Sequence, residues 1–173
     1  MSSLVIKNIV RFILAILLQG LFFISIGLNY PILDKMVIII YPIAIMLLPI
    51  RTPKSLIVFL GFILGTAIDF FYTTPGINAA ASVFMAFIRP YLLAWLEPRG
   101  GYQVESVPVP KEFGFKWFFY YASIFMGIHL FILFSIQHFT FAFIFEIILK
   151  TIESFIASMI FILIYILIFN PEE

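Results

Sequence analysis

Cysteine is absent from this 173-residue chain, which excludes disulfides, thiolate nucleophiles and Cys-ligated zinc or iron–sulfur centres. Charge is scarce: Asp, Glu, Lys and Arg make up 11% of the residues, against about 25% in ordinary soluble domains. The formal net charge is +1 and no Lys/Arg cluster occurs, so the chain lacks the basic footprint that nucleic-acid phosphates require. Its two histidines, His129 and His138, stand at no metal-ligand spacing and read as hydrogen-bonded structural residues. No glycine-rich phosphate loop is present, and no serine or threonine sits in a nucleophile motif. The acidic residues define no acid–base pair. The sequence therefore names no catalytic, cofactor-binding or metal-binding residue, and the chain reads as non-enzymatic.

Apolar residues fill that space, at 64% of the chain and a mean hydropathy of +1.16. A bilayer-crossing helix needs about 20 apolar residues, and several runs approach or reach that length. The expected fold is an all-α, polytopic bundle of about six membrane helices, forming a single transmembrane domain over 1–173. The first span covers about 9–28, interrupted by Gln19 and Gly20 and stopped at Asn29-Tyr30-Pro31. It is longer than a signal-peptide core of about 7–15 residues and no A-x-A-like site follows, so it reads as a span rather than a cleaved leader. Gln19 is expected to hydrogen-bond a neighbouring helix.

A loop with Asp34 and Lys35 leads to a short second segment, about 36–48, that contains Pro42. Proline removes a ladder hydrogen bond that neighbours must satisfy, so this segment is kinked, tilted or only partly spanning. If it does not cross, five spans remain. Further spans are expected at about 55–71, 79–96 and 117–136. Between them, the proline- and glycine-rich stretch 97–116 excludes a continuous helix. A final apolar region runs to Phe169, too long for one perpendicular span. Its first third carries Glu146, Lys150 and Glu153 on one face, so that part is placed at the membrane surface or toward the bundle, with the sixth span at about 154–169. Lys7, Arg11, Arg51, Lys54, Arg99, Lys111 and Lys116 gather on the side of the termini, while Lys35 alone falls opposite. The positive-inside rule then makes both termini and the 97–116 loop cytoplasmic.

The most informative stretch is 61–93. Gly61, Gly65 and Asp69 are four residues apart, which on a helix makes one stripe of two small residues ending in a carboxylate. Such a stripe packs closely against another helix, of this chain or of a partner. Thr73-Thr74-Pro75-Gly76 ends that helix, and Asn78 is placed to cap the next. Arg89 follows, ahead of Pro90. A charge at mid-bilayer costs about 2.5–3.5 kcal/mol on insertion scales, so Arg89 should face protein or water. Asp69 is one expected partner across the turn; Glu146 and Glu153 are rivals. Together Asp69, Arg89, Glu146, Lys150 and Glu153 form the expected set of buried charges.

This run, with Gly61, Gly65 and Asp69 followed by Thr74-Pro75-Gly76-Ile77-Asn78-Ala79-Ala80-Ala81 and Arg89-Pro90, resembles the central signature of the bacterial rod-shape-determining MreD family. The version with TPG-x-NAAA and RP is similar to members from Bacteroidetes-type bacteria. The resemblance covers about 33 residues in motif and the whole chain in architecture; after Leu93 it is diffuse. It implies an inner-membrane subunit of the cell-elongation (rod) complex, without cofactor, surrounded by membrane lipids. Implied partners are an MreC-like bitopic protein, the MreB filament, and RodA with its transpeptidase. The implied contact elements are the Gly61, Gly65, Asp69 stripe and the turn Pro75, Gly76 and Asn78. The family also looks distantly like the six-helix substrate-binding components of vitamin transporters, which makes a small-molecule-binding membrane component the alternative expectation.

Overall fold

The computed structural model describes residues 3–25, 37–103 and 106–169. The expected helix stop at Asn29-Tyr30-Pro31, the loop with Asp34 and Lys35, Met36 at the start of the second segment and the terminal Asn170-Pro171-Glu172-Glu173 lie outside those residues. Every long element is helical. α1 spans Ser3–Leu17 and continues into a π-helical turn, Leu18–Phe23; α2 is the short Ile43–Met46; α3 is Lys54–Tyr72 and α4 Ile77–Trp95. After the short α5, Pro110–Phe113, come α6, Phe115–His138, and α7, Ile144–Phe169. Five of these helices are long and apolar enough to cross a membrane, counting α1 with its π-turn as one.

The bundle is apolar outside and polar at selected points within. Phe59, Phe62, Phe87, Tyr91 and Ile156 are all more than half exposed, whereas Gln19, Asp69, Asn78, Arg89, His129, Ser154 and Ser158 are buried. A water-soluble fold shows the reverse preference; this distribution suits a protein solvated by lipid. Each long helix turns one stripe inward at three- and four-residue spacing. On α6 that stripe is Phe118, Tyr121, Ala122, Phe125, Met126, His129, Leu130 and Leu133.

The second apolar segment is not a membrane helix. Residues 37–40 have no regular secondary structure, Tyr41 and Pro42 turn, and only Ile43–Met46 is helical. Pro42 stands at the N-cap of α2, where a missing N–H costs nothing. The whole stretch from Ile39 to Leu48 is buried and forms the axis around which the long helices pack. Gln19 bonds Ile38 and Ile40, whereas Arg11 bonds Leu47. As α1 advances about 12 Å from Arg11 to Gln19, this segment therefore runs back beside it.

α3 and α4 form the tightest pair, a hairpin closed by the turn at 73–76. α6 and α7 form a second, longer hairpin. α7 is continuous from Ile144 to Phe169, so the part that carries Glu146, Lys150 and Glu153 belongs to the same helix as the expected span at 154–169. Arg11 lies beside Tyr165, which puts the start of α1 and the end of α7 at one end of the bundle. The described parts of the next connection, 96–103 and 106–114, lie over that same end, where the Ile50 amide donates to the Ser106 carbonyl at 2.9 Å. This connection is better tied than its composition suggests. Tyr102 donates to the Leu93 carbonyl (2.8 Å), Trp117 to that of Leu96 (2.8 Å), and the Val107 amide to Glu112 (2.9 Å). Burial, and then the Glu97 carboxylate, push the Tyr102 phenol up to about 12, so it stays a donor throughout the physiological range.

Candidate functional site

Two polar clusters organise the bundle, one at each end of the buried 37–48 segment. The first begins at Asp69, near the end of α3. Its Oδ1 accepts from the Thr74 hydroxyl, the Asn78 amide N–H and Asn78 Nδ2, each at 2.9 Å. Its Oδ2 accepts from the amides of Gly76 (3.1 Å) and Ala79 (3.0 Å). The carboxylate of one helix thus caps the start of the next, where unpaired amides and the helix dipole favour a negative charge. Asn78 is therefore not the cap; it sits one residue inside α4, which opens after Gly76 at φ +87°. That left-handed conformation suits glycine.

Asn78 carries the network onward. Tyr41 donates to Asn78 Oδ1 at 3.1 Å, and the same hydroxyl lies 2.9 Å from His129 Nε2. The arrangement that leaves fewest donors unmet has His129 Nε2–H donating to Tyr41, with Nδ1 as a bare acceptor. Asp69, Asn78, Tyr41 and His129 thereby link α3, α4, the central segment and α6. Beside them a cavity of about 110 Å³ is walled in part by Gln19, Tyr41, Tyr72, Thr74 and Asn78.

The hairpin needs its glycines for this geometry. A Cβ on Gly65 would stand 2.4 Å from the Ala79 Cα, and one on Gly61 would stand 2.9 Å from the Ala86 Cβ. Both glycines are buried against α4, so of the two expected uses of the stripe, a helix of this chain or of a partner, the chain's own helix takes it. Of the expected contact residues Gly61, Gly65, Asp69, Pro75, Gly76 and Asn78, only Pro75 and Gly76 are exposed.

At the other end, Arg89 is fully buried and does not meet Asp69, Glu146 or Glu153. Its Nη2 donates to the carbonyls of Leu48 and, at 3.3 Å, Met46. Tyr121 donates to Met46 (3.1 Å), and Arg11 Nη1 donates to the Leu47 carbonyl (2.8 Å). Three donors from three helices close the C-terminus of α2, whose last carbonyls have no partner within the helix and whose dipole favours cations. The Asp69 pairing fails because the two groups lie at opposite ends of the central segment; Arg89 meets carbonyls through Nη2 alone, and its Nε and Nη1 find no acceptor among the described residues. Glu146 is exposed, and Glu153 and Lys150 are only half-buried, so these three do not belong to the buried-charge set. Lys150 lies over the Phe134 ring at 5.1 Å.

Several supports escaped the sequence. Ser154 and Ser158 accept the amides of Val37 (3.0 Å) and Ile39 (2.9 Å). Gln19 Oε1 accepts that of Ile40 at 2.8 Å, and its Nε2 donates to the Ile38 carbonyl at 3.0 Å and to Tyr72 at 2.7 Å. Gln19 does bond a neighbour, but the irregular backbone at 38–41 takes most of its bonds. Ser154 and Ser158 are four apart, one helical turn, and that S-x-x-x-S spacing in an apolar helix was the available signal. His129 is buried in the network, and His138 packs near Phe143. Among the described residues no three His, Asp or Glu side chains gather as a metal site would require. Compared with known proteins, the chain matches no family model, no curated protein and no solved structure.

Proposed function

We propose that this chain is a scaffold subunit of the bacterial cytoplasmic (inner) membrane that holds partner transmembrane helices in a cell-elongation complex, in the manner the MreD-like run suggests. The supporting observation is the fate of the signature. Gly61, Gly65 and Asp69 build a self-capped hairpin, and Gln19, Ser154, Ser158 and Arg89 Nη2 bond the backbone of the central segment. These features support the reading of a rigid docking body. The same proposal takes the 37–53 segment as a sixth, mostly non-helical crossing, allowed at membrane depth because protein surrounds it. Both ends of the chain then share the cytoplasmic side with Arg51, Lys54, Arg99 and Lys111. Partners are an MreC-like bitopic protein and, through it, MreB and RodA with its transpeptidase. Since the glycine stripe is occupied, docking falls to the lipid-facing exterior.

The deciding experiment is purification in mild detergent with crosslinkers placed at Val10 on α1 and at Ile152 and Ile156 on α7. A stoichiometric bitopic partner crosslinked at one of these faces is the expected result. The alternative, a small-molecule-binding transport component, draws on the cavity beside Tyr41 and Asn78, whose mainly apolar wall carries a few polar side chains. Recovery of an ATPase partner together with ligand-dependent thermal stabilisation would establish that reading and remove the scaffold.

A further inference from the structure

α1 and α3 meet at one end of the bundle and part at the other. Gly20 lies so close to Phe71 that a Cβ there would stand 2.6 Å from the ring. Toward the cationic end the helices diverge around Leu48, Pro49 and Pro53, leaving a groove of about 710 Å³. Its walls are apolar, with Ile9, Ile13 and Ile16 on α1 facing Leu56, Leu60 and Ile63 on α3. The polar lining, Asn8, Arg51 and Thr52, sits at one end only. Thr52 spends its hydroxyl on the Pro49 carbonyl at 2.7 Å, and Asn8 Oδ1 accepts from Arg11 at 3.1 Å. That leaves the Asn8 amide N–H groups and the exposed Arg51 guanidinium facing the mouth of the groove.

Length discriminates between occupants. From Val5 to Ile16 on α1, and from Pro53 to Ile63 on α3, the groove runs about 15–16 Å at 1.5 Å per residue. The hydrocarbon core is about 30 Å thick, so the groove is about one leaflet deep: its inner end, at Ile16 and Ile63, falls near the midplane, and Gly20 meets Phe71 about 12 Å further along α3, toward the opposite surface. A partner's transmembrane helix, or a helix of a second copy, would need a track through the full thickness. A phospholipid needs one leaflet, apolar toward the midplane and cationic at the surface.

We infer that the groove between α1 and α3 is a binding slot for one anionic phospholipid of the leaflet at the cationic end. One acyl chain lies between Ile13 and Leu56, and the phosphate rests on Arg51 and the Asn8 amide. The slot touches the Arg89 cluster only at Leu48 and, through Asn8, at Arg11, and it depends on no partner protein, so it stands whether or not the scaffold reading does.

The test is made on the full chain in phosphatidylcholine vesicles containing a trace of phosphatidylglycerol with a photoactivatable group on its acyl chain. Saturable labelling of α1 and α3 peptides, at about one lipid per chain, is expected, with weaker labelling by the matching phosphatidylcholine probe. Arg51→Gln should lower phosphatidylglycerol labelling about fivefold, the worth of one arginine at an anionic surface. Ile13→Trp combined with Leu56→Trp should fill the slot and reduce labelling to background; both positions are about half exposed. Thermal unfolding in detergent checks that the variants are folded. If the double variant does not fold, Arg51→Gln, on an exposed loop, still decides. Labelling spread evenly over the outer faces, or equal for both lipids and unchanged in Arg51→Gln, would reduce the slot to ordinary boundary lipid. A protein crosslink across Ile13 and Leu56 would replace the lipid with a helix.

Discussion

The α3–α4 hairpin and the 37–53 segment occupy the same interior but reach stability by opposite routes. The hairpin supplies its own partners: helical ladders, glycines that admit a neighbouring backbone, and an aspartate that caps the next helix seven to ten residues on. The central segment bonds itself only through short turns, in which the amides of 43–48 and of Thr52 reach carbonyls three or four residues back. The amides before those turns and the carbonyls after them are met by Gln19, Arg11, Arg89, Tyr121, Ser154 and Ser158, from residues as far as 119 positions away. Irregular backbone in a membrane protein survives only inside protein, so the segment is as stable as the helices around it. One element is local and self-contained, and the other is a product of the finished fold.

The sharpest way to break the contrast is Gly65→Leu. A Cβ alone would stand 2.4–2.6 Å from Ala79 and Asn78 backbone atoms, which cannot yield as a flexible side chain would. Overpacking costs about 1–3 kcal/mol and occasionally more, and here the upper end is expected because the helices must separate and Asp69 must leave its amides. The measured outcome is loss of folded protein from the membrane fraction. Arg89→Leu should act next most strongly. It leaves the Met46 carbonyl with Tyr121 alone and that of Leu48 without its donor, and an unmet buried polar group costs about 1–3 kcal/mol. Arg89→Gln keeps a donor without burying a charge and should recover part of the loss in thermal unfolding in detergent.

The same contrast governs what could be read from sequence. Gly61, Gly65, Asp69 and the Thr73–Gly76 break lie within one stretch, so a spacing of four and a turn chemistry announced the hairpin. Even there, Asn78 was taken for the cap because local rules favour the residue nearest the helix start, while the carboxylate came from the preceding helix. Pro42 warned that 36–48 was not an ordinary span. It could not reveal irregular backbone, because the supporting side chains lie on α1, α4, α6 and α7. Arg89 was expected to find a carboxylate, since an ion pair is the familiar answer to a buried charge. Carbonyls at the end of a broken helix answered it instead, and no composition rule predicts those. Glu146, Lys150 and Glu153 share a helix face, but periodicity does not say which way that face turns.

A milder variant sharpens the comparison. Ser154→Ala with Ser158→Ala removes the acceptors of the Val37 and Ile39 amides without adding bulk or touching α3 and α4. Hydrogen bonds between elements inside membranes average about 0.6 kcal/mol in mutant cycles, so the pair should lower overall stability by about 1 kcal/mol. The local consequence is larger than the global one. Both amides sit in irregular backbone with no ladder to fall back on, so hydrogen exchange at 37–40 should quicken while that of the α3–α4 hairpin is unchanged. Equal acceleration in both regions would mean that the hairpin leans on the central segment after all, and that its apparent independence in sequence is not independence in the fold.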